Sequence, residues 1–164
     1  VGTGSGCIAV TLSCEKPGSR VYAADISVGA LALARTNAGK HGAAGGMFFV
    51  LGSLTEPFGD GSFDVLVSNP PYIPEAEFEN LAPDVRDYEP RSSLVGGEDG
   101  LQCIRKIITG AKRVLKPGGW CLLEIGMGQS PEVIKLFEEA GFSNISCVRD
   151  INDIDRLVRA QWKK

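Results

Sequence analysis

Phe63-Asp64-Val65-Leu66-Val67-Ser68-Asn69-Pro70-Pro71-Tyr72 is an apolar run that ends in an amide side chain, two prolines and an aromatic ring. The run up to Ser68 reads as a buried strand. The prolines fix φ and remove two backbone donors, so the carbonyls there are left to accept hydrogen bonds. The Asn69 side-chain oxygen is a further acceptor, and Tyr72 offers a ring face. A strand that ends this way forms a rigid slot suited to a planar –NH2 group held through both of its N–H bonds.

Upstream, Gly2-Thr3-Gly4-Ser5-Gly6 reads as a loop that opens a helix over Cys7 to Cys14. Glycines at alternate positions let backbone N–H groups approach a ligand closely. A short strand, Val21 to Ala24, follows and ends at Asp25, about 20 residues after the loop, where a carboxylate accepts ribose hydroxyls. The dinucleotide pattern G-x-G-x-x-G needs glycine at position 7, and Cys7 stands there instead. Val1 stands directly before the loop, so the reading expects a first strand that has been cut away.

The remaining pattern alternates. Ser27 is an expected N-cap for a helix over Val28 to Gly39, with Leu31, Leu33 and Ala34 inward. Gly42 to Gly46 reads as a flexible turn, and Met47 to Leu51 as a third, buried strand. Residues 73 to 99 carry no period and read as a long loop rich in proline and acid, from Pro74, Glu75, Glu77 and Glu79 to Glu89 and Pro90. Gly100 to Lys116 reads as a helix with Ile104, Ile107, Ile108, Ala111 and Leu115 inward. Lys116-Pro117-Gly118-Gly119 reads as a turn, then Trp120 to Ile125 as a strand. Pro131 to Ala140 reads as a helix capped by Gly141. Asn144 to Val148 and Leu157 to Trp162 read as two strands joined by a hairpin-like connection at Ile151 to Asp155. Strands alternating with helices imply an α/β domain with a mainly parallel sheet, and the last two strands, with no helix between them, pair antiparallel.

The 164 residues allow one domain with a sizeable core, and 43% hydrophobic with 23% charged residues is ordinary globular composition. A net charge of −3 argues against a broad nucleic-acid face. No run of about 20 apolar residues is present. The five cysteines, Cys7, Cys14, Cys103, Cys121 and Cys147, form no C-x-x-C pair, and His41 is the single histidine. Free thiols in a reducing cytosol are expected, with no metal site.

With both motifs quoted, the chain resembles the HemK-type protein-(glutamine-N5) methyltransferases that modify peptide chain release factors. The likeness runs from Val1 to about Trp162. It is carried by the glycine loop, Asp25, Ser68-Asn69-Pro70-Pro71-Tyr72, Val85-Arg86-Asp87-Tyr88-Glu89-Pro90, Gly96-Gly97-Glu98-Asp99-Gly100-Leu101, and the pairs Arg149-Asp150 and Asp155-Arg156. The resemblance implies a Rossmann-like class I S-adenosylmethionine-dependent fold in strand order 3-2-1-4-5-7-6, its first strand truncated. It implies that residues 1–164 form the catalytic domain and that the family's helical N-terminal substrate domain is absent. Gly2, Thr3, Gly4, Ser5, Gly6, Asp25, Ser53, Leu54 and Asn69 are the implied cofactor residues. Asn69, Pro70 and Tyr72 are the implied catalytic residues, and with Pro71 they hold the substrate. That substrate is the glutamine of a Gly-Gly-Gln loop in a release factor, in the cytoplasm. The family places an acidic residue two positions before the first loop glycine, a position that lies before Val1, and an acidic residue near Ser53, where this chain has Gly52-Ser53-Leu54.

Two other readings stand beside this one. The same turn occurs in enzymes that methylate exocyclic amino groups of DNA or RNA bases, which would place a flipped base in the slot. The chain also reads as an inactive S-adenosylmethionine-binding fragment. Arg86, Glu89 and Arg91 are candidate peptide contacts, and the acidic loop is a candidate lid.

Overall fold

Val21 to Asp25 and Met47 to Leu51 pair as two parallel strands, β1 and β2, from Val21 opposite Met47 to Asp25 opposite Leu51. Helix α1 (Cys7–Glu15) precedes β1, and helix α2 (Val28–Lys40) supplies the crossover that a parallel pair requires. The computed structural model describes residues 1–163, and these elements belong to the first of its two compact units, Val1–Phe58, the second starting at Gly59. Ser27 caps α2 as expected, its Oγ accepting the Ala30 N–H at 3.2 Å. The core of this unit is built from small residues and one long one: Ala9, Val10, Ala23, Ala38, Ala43 and Met47, with Val21 and Phe49 packed against them.

Leu33 does not face inward; it is 50% exposed, while Ala34 and Ala38, one turn apart, are fully buried. Small side chains let α2 approach α1 closely: a Cβ built at Gly6 would stand 2.9 Å from the Ala34 Cβ. A leucine would not fit that contact. Strand β2 is not buried along its length either, because its one strand partner is β1. Only Met47 is buried, Leu51 is 57% exposed, and Phe48 covers part of its surface by stacking on Tyr22 at 4.7 Å. The expected turn at Gly42 to Gly46 closes with a short 3-10 helix, Ala44–Gly46.

In the second unit β3 (Phe63–Ser68) leads into the acidic segment, which is not a structureless loop. It contains a 3-10 helix, Glu75–Asn80, and two single-turn helices, α3 (Pro83–Arg86) and α4 (Arg91–Leu94). Pieces this short carry no readable period and need tertiary contacts to persist. Arg91 supplies some of these, pairing with Glu75 at 2.7 Å while its guanidinium lies 4.5 Å from the centre of the Phe78 ring. Helix α5 (Gln102–Val114), β4 (Leu115–Glu124), α6 (Ser130–Glu139), β5 (Phe142–Arg149) and β6 (Asp155–Trp162) complete the unit.

The strand order is β3-β4-β6-β5, with β3 and β4 parallel and β6 antiparallel to both of its neighbours. Numbered in the expected scheme, the first unit carries strands 3-2 and the second carries 4-5-7-6. Ile104, Ile107, Ile108 and Ala111 are buried on α5 as read. Helix α5 stops at Val114, however, and Lys116 to Gly119 is a bulge inside β4 rather than a separate turn. Phe63 pairs with Leu115 and Val65 with Trp120, so the chain between them loops out. Gly118, at φ +80°, permits the bend, and Gly119 lies where a Cβ would meet the carbonyls of Asp64 and Phe63 at 3.1 and 3.2 Å. Gly141, at φ +87°, ends α6 as expected, donating to the Glu138 carbonyl. Phe137, Phe142 and Trp162 pack in series at 5.1 Å spacings beneath it.

Candidate functional site

In the first unit the candidate site is the glycine loop. Its three glycines have φ of +63°, +54° and +83°, a backbone path that other residues resist. A Cβ at Gly2 or Gly4 would meet nothing within 4 Å, so this side of the loop is open. Gly6 has a different role, the close α1–α2 contact. The Gly6 N–H donates to the Thr3 carbonyl, and the Thr3 N–H donates to the Ala24 carbonyl, which anchors the loop on β1. The Ser5 carbonyl accepts from Asn37 Nδ2 at 2.9 Å, a tie from α2 that sequence reading missed because the partners are 32 residues apart.

Asp25 is the hub of this loop. Oδ2 accepts the Gly4 N–H and Oδ1 accepts the Ser27 N–H, both at 2.9 Å. Its carbonyl accepts the Gly52 N–H at 3.0 Å, which brings Ser53 and Leu54 to the same carboxyl ends of β1 and β2. Ser53 and Leu54 are both half-buried, and Leu54 has a left-handed φ of +46°. A wider groove lined by Ser13, Arg20, His41 and Phe48 opens at the amino ends of these strands. Open parallel sheets bind ligands at the carboxyl ends, so that groove is not the site.

In the second unit the candidate site is the turn after β3. Ser68 and Pro70 are buried, Pro71 and Tyr72 are half-buried, and Asn69 is exposed. Among the described residues the Asn69 side chain has no hydrogen-bond partner. The turn is held from behind by the segment after α4. The Ile73 N–H donates to Leu94, the Gly96 N–H returns to Ile73, and the Glu75 N–H reaches Gly97. Gly96 must be glycine, because a Cβ there would stand 2.5 Å from the Pro71 carbonyl oxygen.

Burial pushes the Tyr72 phenol above its usual pKa, Glu124 adds to the rise, Arg156 opposes it and Glu89 reinforces it. The phenol therefore stays protonated at neutral pH. Arg86 pairs with Asp87 at 2.8 Å and Arg91 with Glu75, so two of the three candidate peptide contacts are engaged within their own segment. Glu124 escaped the sequence reading, and Arg156 entered it only within the Asp155-Arg156 pair, with no role beside Tyr72. Arg156 is held by Asp150 at 3.2 Å and donates to the Ile125 carbonyl at the end of β4. All five cysteines are free thiols. Among the described residues no group of three or more His, Cys, Asp or Glu side chains could hold a metal ion, and no helix is long and apolar enough to cross a membrane.

Comparison with solved structures supplies the class. A methyltransferase from Pyrococcus furiosus matches 99% of this chain and 73% of its own, with a TM-score of 0.73 at 18% identity, which shows the class I methyltransferase fold. The family model for the methyltransferase small domain matches residues 1–83, about half of the chain. The chain belongs to that family. It is 49% identical over 158 residues, 96% of its length, to the release factor glutamine methyltransferase of Geobacter sulfurreducens. It is 44% identical over 163 residues, 98% of its length, to the release factor glutamine methyltransferase of Nitratidesulfovibrio vulgaris. The chain spans 55% of the length of each of these relatives.

Proposed function

We propose that this chain transfers a methyl group from S-adenosylmethionine to the side-chain amide nitrogen of the glutamine in a Gly-Gly-Gln loop of a peptide chain release factor. The observation that carries the reading is the free Asn69 acceptor in a proline-locked turn, within a chain 49% identical to a release factor glutamine methyltransferase. The five free thiols fit a reducing cytoplasmic setting for that reaction.

The donor set of the first unit fits the cofactor. Gly2 and Gly4 leave one side of the loop clear for its methionine portion. Each Asp25 oxygen accepts one backbone N–H and keeps a lone pair, in fixed orientation, for a ribose hydroxyl. Ser53 and Leu54, which follow β2, would meet the adenine. When bound, the cofactor would supply an activated sulfonium methyl and leave as the neutral thioether, the methylated amide giving up one N–H proton to solvent, so the protein's own task is to prepare the acceptor.

An amide nitrogen is a weak nucleophile because its lone pair is delocalised into the carbonyl. Asn69 Oδ1 and the Pro70 carbonyl accept its two hydrogens, which raises electron density on nitrogen and fixes the amide plane. The Tyr72 ring packs on that plane. Rate acceleration then comes from orientation and from fixed acceptor dipoles that need no reorganisation. Incubating the protein with S-adenosylmethionine and a release factor, then locating the methyl by mass spectrometry, tests the reading. The glutamine side chain of Gly-Gly-Gln is the expected position. A methyl on a DNA or RNA base, with the release factor untouched, would overturn it.

A further inference from the structure

Gln129 lies in the turn between β4 and α6, away from both motifs, yet one end of its amide holds the acceptor turn while the other is fixed to its own turn. Its Nε2 donates to the Tyr72 carbonyl at 2.9 Å, across 57 residues of sequence. Its Oε1 accepts the Gly126 N–H at 2.9 Å. Two glycines make room for this strut. A Cβ at Gly100 would stand 2.2 Å from the Tyr72 carbonyl oxygen and 2.9 Å from Gln129 Nε2. A Cβ at Gly126 would stand 3.0 Å from Gln129 Oε1 and 3.1 Å from Tyr72 Cδ2. Tyr72 is thus gripped at its carbonyl by Gln129 and bordered at its ring by Gly126.

We infer that Gln129 is a positioning residue that, with Gly100 and Gly126, sets the direction of the Tyr72 carbonyl and of the Tyr72 ring. This rests on the reading of the Asn69–Tyr72 turn as the amide-holding slot. The prolines fix φ at positions 70 and 71 but leave the carbonyl of Tyr72 free to rotate. Gln129 removes that freedom. Both ends of its amide are required: glutamate at this position loses the donor, and an apolar side chain loses donor and acceptor.

The first test is made on the protein at rest. Gln129→Met keeps the length and shape and removes both hydrogen bonds. In the NMR spectrum, the Tyr72 ring and Ile73 amide signals are expected to shift and broaden, while the glycine-loop signals stay in place. Unchanged Tyr72 signals would overturn the inference, whatever the protein methylates. With a release factor as substrate, kcat is expected to fall by roughly tenfold to a hundredfold, with S-adenosylmethionine affinity unchanged and only a small loss in thermal midpoint. Gly100→Ala is expected to lower kcat as well but with a marked loss in thermal midpoint, because its Cβ would stand 2.2 Å from the Tyr72 carbonyl oxygen at φ +75°, and the double variant is expected to be little less active than Gly100→Ala alone, because both break one clamp.

Gln129→Glu separates positioning from simple packing. Its activity relative to the unsubstituted protein is expected to rise as pH falls through the carboxyl pKa, because the protonated acid again donates to the Tyr72 carbonyl. A ratio that stays flat with pH would overturn the inference. If the unsubstituted protein leaves the release factor unmethylated, the proposed function fails, and the NMR comparison still decides the clamp.

Discussion

The Asp25 carboxylate accepts the Gly4 N–H at 2.9 Å and so ties the middle glycine of the loop to the end of β1, 21 residues away. With its other oxygen on the Ser27 N–H, the same side chain also fixes the entry to α2. Asp25 therefore shapes the loop before it meets any ligand.

Asp25→Ala is expected to weaken S-adenosylmethionine binding on two counts. It removes a charged acceptor for ribose hydroxyls, worth about 1.5–3 kcal/mol per charged hydrogen bond, and it releases Gly4. Titration calorimetry measures the loss, and Gly4→Val should reduce affinity as well by filling the open side of the loop. Unchanged binding curves for both variants would refute the cofactor assignment.

Asn69→Ala is expected to lower kcat on a release factor by roughly a hundredfold, the scale seen when one preorganised dipole is removed. Cofactor affinity should stay nearly constant if Asn69, as proposed, serves the acceptor amide as the transition state forms rather than the cofactor. Steady-state kinetics with a parallel cofactor titration separates the two. An equal loss in both would move Asn69 from the acceptor side to cofactor binding.

Gly6→Ala is expected to destabilise the fold through two separate effects. The residue sits at φ +83°, and its Cβ would stand 2.9 Å from the Ala34 Cβ. The left-handed strain alone is of order 1 kcal/mol. Adding Ala34→Gly should relieve the clash and leave the strain, so thermal unfolding of the double variant should recover only part of the loss.

The Arg105 guanidinium beside Asp99, with the Leu101 N–H, holds that carboxyl at a pKa of about 2, below its ordinary 3.8. A depressed folded-state pKa contributes stability above the unfolded value, and that contribution is lost as pH falls from 3.8 toward 2. Because both partners are solvent-exposed, the effect is expected to stay under about 1 kcal/mol. Thermal midpoints of the unsubstituted protein and Asp99→Asn should converge across that window. A constant gap would show that Asp99 acts only through its uncharged hydrogen bonds.

The local rules of the chain were legible in its sequence. Alternate glycines with left-handed φ, a strand ending at Asp25, the Ser27 cap, the Gly141 stop and the isoleucine face of α5 each depend on neighbours within a turn or two. The proline-locked turn at Asn69 to Tyr72 was legible for the same reason, since proline fixes φ without help from the rest of the fold. Tertiary structure alone decided what depends on distant partners. Leu33 is exposed because Ala34 takes the close contact with Gly6, and Lys116 to Gly119 bulges within β4 because Leu115 pairs with Phe63. Gln129 reaches Tyr72 across 57 residues, and a single polar side chain carries no period or motif to announce such a partner. Backbone preference is written residue by residue, whereas a hydrogen bond between remote segments exists only once the chain has brought them together.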